Sequence, residues 1–195
     1  MESVAHMSPA LLANVGVMVM TPKDVGWKLI LVQWLEHRPE NDRDLLTGFC
    51  DVYIEKTIEY LNDCCTPHML GGTKKKCPQY KRVIQHNIEN MIGTFCTLLE
   101  AVVNQTSTQD LSDVEYERYF NFTAIWSFGG TLEEKYRESF SNWWKEQFEQ
   151  HIDYPEEGTV FDYMVDGDSH EFVLWKDTLQ QYSGESRKGI SAESF

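Results

Sequence analysis

Adjacent cysteines Cys64 and Cys65, His68 three residues on, and Cys77 form the densest group of metal-type ligands in the sequence. Zinc wants four nitrogen or sulfur ligands converging as a tetrahedron, usually supplied in pairs two to four residues apart. Two consecutive cysteines at a helix end point about 100° apart and do not close on one ion. The spacing matches no common zinc finger, so the thiols read as buried or rim residues. Phosphate chemistry has no better footing. Gly71-Gly72-Thr73-Lys74 is a turn with lysines behind it, not the G-x-x-x-x-G-K-[ST] loop that cradles a nucleotide. No apolar strand ends in Asp-Glu to hold magnesium, and H-E-x-x-H, a nucleophile elbow and G-x-G-x-x-G are all missing. The residues predict no enzyme acting alone, no metal site and no cofactor held by this chain.

Two other groups suit contact rather than catalysis. Lys74, Lys75 and Lys76, followed by Lys81-Arg82, make the one basic run in a chain whose 17 basic and 31 acidic side chains leave a net charge of −14. A solvated loop is the plain reading of that run, and a contact with an acidic partner face is the sharper one. Residues 110–177 hold 5 basic and 17 acidic side chains, a solvated acidic surface or a dock for a basic partner. Trp143 and Trp144 lie mid-helix, with one ring expected in the core and the other at the edge, where it could meet a neighbouring domain.

The same charge balance argues against nucleic acid and anionic membranes, which require a basic footprint. No window approaches the roughly 18 apolar residues of a membrane span, and the N-terminal residues lack the basic start of a secretory signal. Five cysteines, an odd number, make no disulfide framework and point to a reducing compartment. Asn104-Gln105-Thr106 and Asn121-Phe122-Thr123 fit the glycosylation pattern by accident. A cytosolic or cytoskeletal setting follows.

Helices must position most of these residues. Ser8 and Pro9 can open a short helical turn, and Val15–Met20 is an apolar run suited to a strand buried on both faces. Trp27, Ile30, Leu31, Trp34 and Leu35 form an amphipathic stripe that stops at Arg38-Pro39. A second helix, from Asn41 to about Cys64, sets Leu46, Cys50, Ile54, Ile58, Leu61 and Cys65 on one face. A third is expected over Tyr80–Asn104, with Ile84, Ile88, Met91, Phe95, Leu98 and Val102 inward. An aromatic fourth, Leu111–Gly130, is stopped by Gly129-Gly130, and Thr131-Leu132-Glu133-Glu134 reads as a capping box opening the fifth. Leu132, Tyr136, Phe140, Trp143 and Phe148 form the fifth helix's inner face. Thr159–Val165 and Glu171–Trp175 then predict a hairpin around Asp166-Gly167, followed by a solvated tail.

Three segments carry a resemblance. Ser8-Pro9-Ala10-Leu11-Leu12-Ala13-Asn14-Val15-Gly16-Val17-Met18-Val19-Met20, with Asp24-Val25-Gly26-Trp27 after it, resembles the S-P-A-T-V-S-R-x-G-M-V-Y … L-G-W of dynein heavy chains. Phe122-Thr123-Ala124-Ile125-Trp126-Ser127-Phe128-Gly129-Gly130 resembles that family's F-x-x-x-W-x-x-G-G. Pro155-Glu156-Glu157-Gly158-Thr159-Val160-Phe161-Asp162-Tyr163 resembles its P-x-x-G-x-V-F-D-Y. Order and spacing agree over about residues 7–177, where the second AAA+ module of the motor ring ends and the third begins.

The resemblance implies a mainly α fold: an AAA+ lid-like helical bundle, with one N-terminal edge strand left from an α/β AAA+ core and a C-terminal β-hairpin. It implies residues 1–22 as the last core strand, 23–152 as the lid, 153–178 as a hairpin or linker toward the next module, and 179–195 as a disordered tail. The family's arginine before that strand, a finger toward a neighbouring nucleotide, aligns with Asn14, which is neutral and too short for the role. The expected function is that of a non-catalytic fragment of a dynein heavy chain: a lid coupling AAA+ modules in an ATP-driven, microtubule minus-end-directed motor of cilia and flagella. ATP and magnesium would belong to the parent ring. Partners would be adjoining AAA+ modules, other dynein subunits and, through the parent, microtubules. A free-standing acidic helical module, binding through Trp143, Trp144 or the lysine loop, is the alternative from another class. A metal enzyme using Cys64, Cys65, His68 and Cys77 ranks behind both. The poor ligand spacing makes a direct prediction: a chelator leaves the helical circular dichroism of the chain unchanged, and its loss would restore the zinc reading.

Overall fold

The computed structural model describes residues 26–65, 79–84, 87–105 and 111–179. They form α1 (Trp27–Glu36), α2 (Glu40–Cys65), α3 (Ile88–Gln105), α4 (Asp113–Gly129) and α5 (Glu134–Phe148). A 3₁₀ turn (Val160–Asp162) follows, then β1 (Tyr163–Val165), β2 (Phe172–Leu174) and the short α6 (Trp175–Thr178). The fold is mainly α, with a hairpin after the helices, as the residue pattern predicts. The expected strand Val15–Met20, the segment after Leu179, Asn14, His68, Cys77 and the lysines Lys74–Lys76 lie outside the described residues. No helix among the described residues is long and apolar enough to cross a membrane.

Helix α4 is the centre. It buries Tyr116, Tyr119, Phe120, Ala124, Ile125 and Phe128 together with Asn121, Thr123 and Ser127, so apolar and polar side chains alike face protein. Such all-round burial, rather than one stripe, marks a helix enclosed by its neighbours. It packs most extensively on α3 and also against α2, β1 and the 3₁₀ turn. Phe120 meets Phe49 and Tyr53 of α2 and Phe95 of α3 with ring centres 5.0–5.7 Å apart. Tyr53 in turn reaches Trp144 and Phe148 of α5, and its hydroxyl donates to Glu117 Oε1 at 2.6 Å. Burial and that carboxylate together push the Tyr53 hydroxyl well above its ordinary pKa.

Helix α3 starts at Ile88, eight residues later than the periodicity from Tyr80 suggests. Residues 81–83 instead lie antiparallel to 131–133, with Arg82 bridged to Leu132, and the chain bends at Val83 and Ile84. The Val83 amide donates to Thr131 O at 2.9 Å, and the Glu133 amide donates to Lys81 O at 3.0 Å. Asn87 then caps the helix, its Oδ1 accepting from the Asn90 amide at 2.9 Å. Ile84 is consequently 58% exposed, and the buried stripe is Met91, Ile92, Phe95, Cys96, Leu99 and Val103.

The expected capping box at Thr131 does not form. Glu133, not Thr131, is the N-cap of α5 and makes no side-chain cap bond; Thr131 lies two residues further out in the segment paired with 81–83, and its Oγ1 accepts from Arg82 Nη1 at 2.8 Å. The hairpin is also shorter than its sequence signals. Tyr163, Met164 and Val165 pair with Leu174, Val173 and Phe172, while Val160–Asp162 coils into the 3₁₀ turn. The connection is longer than Asp-Gly alone: the Asp166 amide donates to Glu171 O at 2.9 Å, and Asp166 Oδ2 accepts from the Ser169 amide and hydroxyl.

At α4 the capping box is complete: Ser112 Oγ accepts from the Glu115 amide, and the Ser112 amide and hydroxyl both donate to Glu115 Oε2 at 2.7 Å. Those donors hold the Glu115 carboxyl below its ordinary pKa. A lowered carboxyl pKa gives stability that is full above the unfolded value, about 4.3, and is lost as pH falls through the folded value. Ser112→Ala should therefore lower the melting temperature at neutral pH, with the gap to the parent narrowing toward about pH 3. Parallel thermal melts across that range would check it.

Candidate coupling site

Two of the sequence motifs, 122–130 and 155–163, meet in space. Their meeting point is the ring of Phe161, carried by the 3₁₀ turn and 6% exposed. Trp126 meets it edge-on, with ring centres 5.6 Å apart and planes at 83°. Phe140 of α5 lies 5.8 Å away, and the Arg137 guanidinium sits 5.5 Å from the ring centre. The remaining wall is the backbone of Gly129. A Cβ there would lie 2.7 Å from Phe161 Cζ and 2.8 Å from Phe140 Cε1, so a side chain cannot be added without displacing a buried ring. Gly129 serves close packing, not a left-handed helix end. At the next residue, Gly130 keeps a right-handed conformation while its amide donates to Trp126 O.

Polar bonds fix the turn that carries Phe161. The Val160 amide donates to the buried Ser141 Oγ at 2.9 Å. Thr159 and Asp162 form a second capping box, the Thr159 amide and hydroxyl donating to Asp162 Oδ2 at 2.7 and 2.8 Å. Gly158 has φ +72°, a left-handed conformation that favours glycine, and a Cβ there would crowd Asp162 Oδ2. The Tyr163 hydroxyl donates to Glu157 O, and Lys145 Nζ donates to Pro155 O at 2.8 Å and Gly158 O at 3.1 Å. Every named position of the P-x-x-G-x-V-F-D-Y pattern beyond its proline thus has a local task.

The rest of the hairpin lies on the same side of α4. Tyr119, Phe122, Trp126 and Gly129 recur at helical spacing, and each reaches the hairpin region. The Tyr119 hydroxyl lies 2.8 Å from His170 Nδ1, and Arg118 Nη1 donates to His170 O at 3.0 Å. Phe122 meets Trp175 of α6 at 6.3 Å between ring centres. Tyr154 stacks on Phe172 at 4.8 Å. Residues 153–178, which the family resemblance implies are a link toward another module, share one hydrophobic core with the helices through Val160 and Phe161.

The sequence-derived candidates fall elsewhere. Trp144 is wholly buried against Tyr53, Phe140 and Phe148, so a partner could reach only Trp143. Trp143 is half-buried and stacks flat on Tyr60, ring centres 3.8 Å apart. Cys64 is buried in the core and Cys65 half-buried, and neither forms a disulfide. Among the described residues no group of three or more His, Cys, Asp or Glu could hold a metal. Burial pushes the Cys96 thiol up to about 12 and raises Cys50 as well, which makes both poor nucleophiles. The joint at Gly129 and Phe161 is absent from the candidates that residue chemistry suggests. Its trace in the sequence is the spacing of Phe122, Trp126 and Gly129 on one helix face.

Comparison with known proteins matches this architecture. The model of the dynein heavy chain AAA lid domain family matches residues 46–177, from α2 through the hairpin. The ciliary dynein beta chain of Tripneustes gratilla is 31% identical over 185 residues, covering 90% of this chain and 4% of that protein. Dynein axonemal heavy chain 9 of Homo sapiens is 28% identical over 198 residues, covering 97% and 4%. The flagellar outer arm dynein beta chain of Chlamydomonas reinhardtii is 27% identical over 189 residues, covering 92% and 4%. This chain therefore belongs to the dynein heavy chain AAA lid family, and it spans about 4% of the length of these relatives.

Gly129→Ala tests the joint. Overpacking two buried rings costs about 1–3 kcal/mol, more than the helix propensity gained by alanine. Combining it with Phe161→Leu, which removes the atom nearest the new methyl, should cost less than the sum of the two changes. A double-mutant cycle by urea denaturation reads that coupling.

Proposed function

We propose, from membership in the dynein lid family, that this chain acts as a lid segment of a heavy-chain motor ring and relays movement between neighbouring AAA+ modules. The parent would be an ATP-driven, microtubule minus-end-directed motor of cilia and flagella, placed in the axonemal cytoskeleton. The chain itself is non-catalytic in this reading. ATP and magnesium are bound by other parts of the ring, and microtubules and further dynein subunits are partners of the whole motor. The ciliary, axonemal and flagellar names of the relatives support this setting.

One observation carries the reading: Phe161 seated on Gly129 joins the hairpin to the central helix through a packed, buried contact. A relay must move as a body, since a displacement at one end is lost if the other end slides. Packed interiors switch between discrete arrangements and do not deform continuously, so such a joint can transmit small shifts. In this reading α1 faces the module before the lid and the hairpin faces the one after it.

Two measurements test it. The purified chain should bind no fluorescent ATP analogue at micromolar concentration, and binding there would contradict the non-catalytic reading. An outer-arm heavy chain carrying residues 26–178 of this chain in place of its own matching segment should keep microtubule-stimulated ATP turnover. Phe161→Ala in that chimaera should reduce the stimulation about tenfold, within the range of allosteric coupling energies, and leave basal turnover nearly unchanged. Equal stimulation with and without Phe161 would exclude the joint as the relay.

A further inference from the structure

The hairpin leaves one edge of its sheet open. The Asp166 amide donates to Glu171 O at 2.9 Å, and antiparallel pairing runs on through Val165–Phe172, Met164–Val173 and Tyr163–Leu174. In such a ladder, successive residues alternate between bonding to the strand opposite and turning their amide and carbonyl outward. Val173 therefore faces β1. The Phe172 amide and carbonyl and the Leu174 amide point away from it, and none of the three has a partner among the described residues. β1 packs on α4. β2 instead borders a groove of about 530 Å³, lined by Phe172, Val173 and Leu174 and faced by Pro155, Glu156 and Asp177. The strand carries neither proline nor charge, two of the usual guards of a free edge.

The surroundings of this edge have one sign. Residues 153–178 hold 8 acidic side chains and 1 basic one, Lys176, which is paired with Glu157. Lys145 and Arg118 nearby already donate to backbone carbonyls. Glu156, Glu171 and Asp177 are exposed and form no salt bridge among the described residues. We propose that β2 is a docking edge for an extended, basic segment of a partner protein, which joins the sheet as a third strand. Alternate side chains of that strand point to opposite faces. One set meets Phe172, Leu174 and Pro155, and the lysine or arginine stems of the other reach the carboxylates. A second copy of this chain would bring the same acidic surround to the contact. Residues 180–195 hold 2 basic and 2 acidic side chains, so charge selects neither of these occupants. Docking here needs the open edge alone and is independent of the relay proposed above.

The probe is a blocked peptide of about ten residues alternating lysine and valine, titrated into the full 195-residue chain with amide exchange read residue by residue. On binding, exchange at Phe172 and Leu174 should slow about tenfold, and the Val173 amide, already bonded to β1, should not change. The same peptide with glutamate for lysine should not bind. Leu174 has φ −70°, a value that proline shares, and its amide has no partner inside the protein. Leu174→Pro should therefore keep the Val173 amide protected while weakening the peptide about tenfold. Glu156→Lys combined with Asp177→Lys should weaken it as much, through charge. No binding at about millimolar peptide would overturn the proposal. Binding that leaves Phe172 and Leu174 exchange unchanged would also overturn it, since the contact would then be general charge attraction. Protection of those two amides in the peptide-free chain would do the same, because its own tail or a second copy would fill the edge.

Discussion

The approach of the Phe161 ring to the bare backbone of Gly129 is the contact on which the relation of hairpin to helices depends. Burying a phenylalanine ring contributes roughly 1.5–3 kcal/mol, and here the burial is possible only because one residue has no side chain. Trp126, Phe140 and Arg137 supply the other walls, so α4 and α5 both hold the ring. Withdrawing it would open a void between two helices and strip the Val160 amide from Ser141. The 3₁₀ turn that leads into the hairpin is therefore part of the helical core, and Phe172 of β2 packs against that core.

Much of this was legible in the residues. The stripes of α1 and α2 appear where their periodicity places them, because each helix turns one face to the bundle and the other to solvent. Ser112-x-x-Glu115 and Thr159-x-x-Asp162 both close as capping boxes. Thr131-x-x-Glu134 carries the same local signal and does not, because pairing of 131–133 with 81–83 leaves Thr131 two residues outside the N-cap, Glu133. The late start of α3 has the same cause. Local propensity favours helix from Tyr80, but backbone pairing of 81–83 with 131–133 draws that segment out straight. A long-range strand bridge leaves no periodic trace.

The joint lies between these cases. Its glycine reads locally as a helix stop, and the packing role it actually has appears only when Phe161 is brought beside it. The family motifs held the information in a form that spacing alone does not decode: one pattern is a helix face, the other the turn that docks on it. The adjacent tryptophans divide in a similar way, Trp144 into the core and Trp143 onto Tyr60, as positions about 100° apart on a helix must. The acidic character of residues 110–177 also has a structural share, since Glu115, Asp162 and Asp166 each bind backbone amides of a helix start or turn.

Native-state amide exchange of the Val160 amide, followed against urea, tests most directly whether hairpin and bundle are one body. If they are, Val160 opens with the same free energy and the same denaturant dependence as Ile125 and Phe128 in α4, because its partner Ser141 is exposed only when the core separates. Exchange of Val160 through a smaller opening, insensitive to urea while α4 stays protected, would mean that the hairpin detaches by itself, and the account of a rigid joint would fail.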